Sequence, residues 1–186
     1  MKTKEKQTAT DKNASRKKST KLNITDDSGF LAIANAEKYN AFVSENWELP
    51  ELVGRFVEEM NRENLIIWGT SMGGGEWIVA FLNKATNKKA FREFDKSIVV
   101  TNGQLYLTNY EDLTMAAAYA NEKIPAKHNS DLIIPLENGR YVFTIRQMFD
   151  PDDYNYEAEG KVNFEIVIKL DNNPTEKIEN VFWWNE

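Results

Sequence analysis

The chain has 186 residues, 41% of them apolar, including five Trp, seven Tyr and ten Phe, which is enough for one domain with a substantial core. Its net charge of −6 is split by position: Met1 to Lys21 carries net +6 and the other 165 residues carry net −12. With no cysteine and one histidine, disulfides, thiolate zinc sites, cysteine nucleophiles and multi-histidine metal centres are excluded.

Residues 1–21 read as a disordered basic tail, because Lys, Thr, Ser and Asn bury too little apolar surface to offset the entropy of ordering. A basic arm for an anionic surface is the sharper alternative. No stretch has signal-peptide or transmembrane length, so a cytoplasmic protein with no membrane partner is expected. Residues 22–186 then form a single acidic globular domain, whose folded part opens near Leu22 with a first strand at Phe30–Ala34.

Pro50 suits the first turn of a helix, where a missing N–H costs nothing. Leu52, Val53, Phe56, Val57 and Met60 recur at helical spacing, with Glu51, Arg55, Glu58 and Glu59 off that stripe, so a core-facing amphipathic helix is predicted up to Asn61–Asn64. From Leu65 the pattern is mainly strand. Leu65–Trp68 and Trp77–Leu82 flank Gly73-Gly74-Gly75 and read as a hairpin. Ile98–Thr101 and Gln104–Leu107 flank Asn102-Gly103, a strong hairpin signal because both turn positions need positive φ. A short helix over Tyr110–Ala120 follows. Leu132–Leu136, marked as an edge strand by Pro135, and Tyr141–Phe149 flank Asn138-Gly139.

Two late strands alternate cleanly. Tyr141, Phe143, Ile145 and Phe149 share one face; Val162, Phe164, Ile166, Ile168 and Leu170 share another, opposed by Lys161, Asn163, Glu165 and Lys169 on a wet face. The expected fold is therefore α+β: a mainly antiparallel, β-sandwich-like domain with one or two N-terminal amphipathic helices. Trp183-Trp184 read as a final strand docking onto the core.

Gly69-Thr70-Ser71-Met72-Gly73 matches the Gly-x-Ser-x-Gly elbow of α/β-hydrolase lipases and esterases. That resemblance implies a Ser71 nucleophile, His128 as base, and Asp95 or Asp112 as the orienting acid. The surrounding pattern argues against it. Only one strand candidate precedes Leu65, and Gly75 to Phe81 is β-branched and aromatic where the elbow needs a helix. A glycine-rich turn is the simpler reading. Walker and dinucleotide motifs are absent, and an acidic body opposes phosphate binding, so no nucleic-acid partner and no cofactor are expected.

Between the two late strands lies Asp150-Pro151-Asp152-Asp153-Tyr154-Asn155-Tyr156-Glu157-Ala158-Glu159, with five carboxylates and no base. As a calcium loop it fails the EF-hand pattern, because Asn155 stands where a glycine is needed, so no metal is assigned. A merely solvated loop remains open. The functional reading is a contact surface for a basic protein, through Asp150, Asp152, Asp153, Tyr154, Tyr156, Glu157 and Glu159.

The succession Ile98 to Leu107, a polar-helical insert, Leu132 to Leu136, then Gly139 to Phe143 resembles small bacterial β-sandwich proteins, among them competence-nuclease inhibitors and proteins of toxin-immunity type. The resemblance spans roughly residues 95–170. It implies a cytoplasmic inhibitor that occludes a toxin's active site without catalysis. The leading expectation is thus a non-enzymatic, immunity-like binding protein for a basic effector such as a nuclease toxin. A small serine esterase using Ser71, and a structural or accessory domain of a secretion or surface apparatus, stand as alternatives. The pattern sets no oligomeric state.

Overall fold

The computed structural model describes residues 19–70, 73–153 and 155–184. In chain order the elements are β1 (Thr20–Asp26), β2 (Phe30–Ala34), α1 (Leu49–Asn61), β3 (Leu65–Gly69), β4 (Gly75–Leu82), β5 (Arg92–Val100), β6 (Gln104–Asn109), α2 (Tyr110–Ala118), β7 (Ile133–Pro135), β8 (Gly139–Gln147) and β9 (Val162–Leu170). The class is α+β and mostly β, with strands in two sheets ordered β1-β4-β9-β8-β5 and β3-β2-β6-β7. Pairing is antiparallel throughout both sheets except for β4 with β9.

Helix α1 forms where its apolar stripe predicts. Leu52, Phe56 and Met60 are buried, Pro50 sits in the first turn, and a capping box joins Glu48 to Glu51. Val53 and Val57, on the margin of the stripe, are only half-buried. Gly54 lies in the helix interior, where glycine costs roughly 0.5–1 kcal/mol relative to alanine. The helices are not an N-terminal pair, however. Helix α1 follows two strands, and α2 sits in the middle of the chain, capped by the Asn109 side chain accepting from the Asp112 N–H.

The three glycine-bearing turns do not close hairpins. Strand β3 belongs to the four-stranded sheet and β4 to the five-stranded one; β5 and β6 are divided in the same way, as are β7 and β8. Gly103 does take the positive φ its turn predicts, at 71°. Asn102 does not share it, so the turn is not the two-residue hairpin turn expected, and the strand beyond it joins the other sheet.

Strands β2 and β3 are buried almost along their whole length, and Trp68 on β3 meets Phe164 on β9 edge-on at 5.9 Å, so the two sheets share one core. Pro135 is on β7, an edge strand as predicted. The expected wet face of β9 is not wholly wet: Asn163 and Glu165 are buried, while Leu170, placed on the apolar face, is exposed. Asn163 is covered by the loop between β8 and β9, and Glu165 by Arg146 and Thr86.

Candidate functional site

The acidic segment joins β8 to β9, neighbouring antiparallel strands, so it is the loop of a long hairpin. Its root is aromatic. Phe149 is sandwiched between Trp77, 5.5 Å away at 10°, and Tyr156, 4.6 Å away at 12°. Asn163 then ties the loop down. Its amide donates to the Tyr156 hydroxyl at 2.8 Å and to the Ala158 carbonyl at 3.2 Å, while its oxygen accepts from the Ile78 N–H at 2.6 Å. That last bond falls at the register shift between Ile78 and Val79, where the β4–β9 ladder is interrupted.

Side-chain turns shape the loop itself. The Asp150 carboxylate accepts from the Asp152 N–H at 2.9 Å, and the Asp153 carboxylate from the Asn155 N–H at 3.0 Å. Asp150, Asp152, Asp153, Glu157 and Glu159 are all exposed, and none forms an ion pair among the described residues. Tyr156 differs from them. It is half-buried, its phenol is held above its ordinary value by burial, partly offset by the Asn163 bond, and Lys161 lies 5.3 Å from its ring. Its ring and hydroxyl join the loop to Phe149 and Asn163. Tyr154 lies outside the described residues.

The described residues that flank Ser71 and Met72 do not follow the strand-to-helix course of an elbow. Gly69 donates its N–H to the Phe182 carbonyl at 2.9 Å, and Phe182 forms a parallel bridge with Trp68. Thr70 is buried, donating to the Gly29 carbonyl and accepting from Gln147. Ser71 lies outside the described residues. After Gly73 the chain enters strand β4 rather than a helix. His128 is exposed and its Nε2 is 3.2 Å from Asp112, whose other oxygen accepts from Thr108 and Asn129. Asp95, the other candidate acid, accepts instead from Thr144.

Trp183-Trp184 dock without forming a strand. The Trp183 ring lies under the Arg92 guanidinium at 4.2 Å and edge-on to Phe94, and Trp184 packs 4.6 Å from Phe30. Among the described residues no group of three or more His, Cys, Asp or Glu is placed to hold a metal ion, and no helix is long and apolar enough to cross a membrane. Sequence patterning did not reveal an apolar groove beside α1, since Val53 and Val57 count there as core.

Fold and loop together define a mostly β, α+β domain that presents a carboxylate-rich hairpin on an aromatic root. No protein-family model matches the chain, and no curated protein does. Two solved structures are similar. One is described as crocagin biosynthetic gene J, with 14% identity over 83% of this chain and 97% of that one, at a TM-score of 0.55. The other is ComJ from Bacillus subtilis, an inhibitor of the DNA-degrading activity of NucA, with 13% identity over 82% of this chain and 96% of that one, at a TM-score of 0.45. At these identities the first likeness shows a shared fold.

Proposed function

We propose that the chain is a non-enzymatic binding protein of inhibitor type, which captures a basic effector such as a nuclease toxin through the Asp150–Glu159 hairpin. One observation carries this reading. Five exposed carboxylates, without ion-pair partners among the described residues, stand on a loop anchored by the Trp77–Phe149–Tyr156 stack and by Asn163. Anchoring limits the entropy lost on binding, and concentrated negative charge steers a basic partner and sets its orientation. The body's net −12 strengthens that field. The two sheets, meeting at Trp68 and Phe164, are read as layers of a sandwich that supports the hairpin.

The experiment is stopped-flow association and DNA-cleavage inhibition against a panel of basic nuclease toxins. Wild type is compared with Asp152→Asn/Asp153→Asn/Glu157→Gln/Glu159→Gln. At least one toxin is expected to be inhibited. The variant should associate about tenfold or more slowly at low salt and approach wild type at high salt. Identical kinetics at both salt concentrations would sink the assignment of the loop.

A further inference from the structure

Leu49, Pro50, Val53, Gly54 and Val57 on α1 face Glu179 and Trp184 across an open apolar groove of about 690 Å³. A second hollow of about 320 Å³ continues past Val53 to Asn180 and Val181. The larger lies within the roughly 300–1,000 Å³ typical of ligand clefts. Leu49, at its mouth, is 48% exposed.

Gly54 is the informative residue. Nothing in the described chain lies within 4 Å of where its Cβ would stand, so no internal neighbour requires glycine at this unfavourable helix position. A backbone approaching from outside would require it, since the separation of packed helices is set by the side chains at their contact. Charge narrows the occupant further. Glu51 is engaged with the Glu48 N–H and Glu58 with Arg55 and Arg62, whereas Glu179, on the groove, has no ion-pair or hydrogen-bond partner among the described residues. Trp184 adds a broad aromatic wall of the kind that dominates binding energy at interfaces.

We propose that this groove seats a basic amphipathic helix of a protein partner. Its apolar face lies on Val53, Val57 and Trp184, its backbone crosses close over Gly54, and a Lys or Arg on its flank pairs with Glu179. The chain's own leader does not match, because Met1 is its only large apolar residue before Leu22. A second copy does not match either, since it would present another acidic body of net −12. The site is separate from the acidic hairpin and does not depend on the reading given for it.

The probe is a fluorescein-labelled amphipathic peptide of Leu and Lys, titrated by anisotropy into the full chain. Wild type and the four-acid hairpin variant are expected to bind it alike at high salt, where long-range attraction to the hairpin is screened. Gly54→Leu should lose about tenfold or more in affinity while melting no lower than wild type, because leucine is the better helix former. Glu179→Lys should lose about threefold or more and show a shallower salt dependence. Four outcomes would overturn the proposal: no saturable binding to wild type, unchanged binding by Gly54→Leu, loss of binding at high salt in the hairpin variant, or a concentration-dependent dimer of wild type that Gly54→Leu abolishes.

Discussion

The carbonyl oxygen of Trp183 occupies the space that a Cβ on Gly69 would need. With the Gly69 N–H bonded to the neighbouring Phe182 carbonyl, the first glycine of the serine motif is where the C-terminal segment closes onto β3. The second glycine, Gly73, has nothing within 4 Å of its would-be Cβ. The motif's two ends therefore answer to different constraints. Gly69→Ala should destabilise the fold by about 1–3 kcal/mol, as overpacking does. Gly73→Ala should stay within about 0.5 kcal/mol of wild type. Urea denaturation of the two variants checks both.

Asn163 links the candidate site to the sheet. Asn163→Leu would leave the Ile78 N–H without its acceptor at the interrupted ladder and release Tyr156 and Ala158. The expected loss is about 1–3 kcal/mol. Tyr156→Phe, which keeps the stack on Phe149, should lose only about 0.5–1.5 kcal/mol. Limited proteolysis should cut residues 150–160 faster in Asn163→Leu than in Tyr156→Phe.

Arg146 and Glu165 form a buried ion pair on β8 and β9, with side chains 8% and 4% exposed. Arg146 also donates to Glu93 and to the Lys88 carbonyl, and Glu165 accepts from Thr86, so this outer face is capped by the segment between β4 and β5. Glu165→Leu would leave the buried guanidinium with only the half-exposed Glu93 carboxylate and should cost about 1–3 kcal/mol. The double variant Arg146→Met/Glu165→Leu should recover part of that loss, because it removes both buried charges. Thermal melts of the three proteins measure the difference.

Burial holds the phenols of Tyr39, Tyr110, Tyr141 and Tyr156 above their ordinary value of 10.0, aided at the first three by Glu59, Glu111 and Glu137 respectively. Each folded value exceeds the unfolded one, so the native state binds more protons at alkaline pH. The associated stability is complete below pH about 10 and is lost as pH rises through the folded values. Stability should accordingly fall from about pH 10 upward, with the last part of the tyrosinate absorbance, that of these four phenols, rising together with unfolding. A stability–pH curve recorded with an absorbance titration tests this; ionisation of all seven tyrosines before any loss of stability would contradict it.

Much of the fold was legible in the sequence where the signal is periodic. Leu52, Phe56 and Met60 defined the buried side of α1, Tyr141, Phe143 and Ile145 the buried face of β8, and Pro135 an edge. The acidic hairpin was visible as composition, but the role of Tyr156 was not, because its ring pairs with Phe149 and its hydroxyl with Asn163 only once β8 and β9 lie side by side. The groove beside α1 was hidden for a related reason. Val53 and Val57 continue the apolar spacing of the helix, and spacing does not say which members of a stripe stay half open.

The sequence by itself determined both helices, the later strands, most of their apolar faces and the charge split, since helix spacing, strand alternation and turn chemistry act over a few residues. It did not show β1, whose Thr20 and Lys21 belong to the basic tail, nor that Trp183-Trp184 dock without forming a strand. Tertiary structure decided which sheet each strand joins. Asn102-Gly103 sets the backbone of its turn, yet β5 and β6 part to different sheets, because strand partners are chosen by core contacts such as Trp68 on Phe164. It also decided that Asn163 and Glu165, polar and alternating outward, are buried: alternation distinguishes two faces of a strand, and only packing determines what covers each.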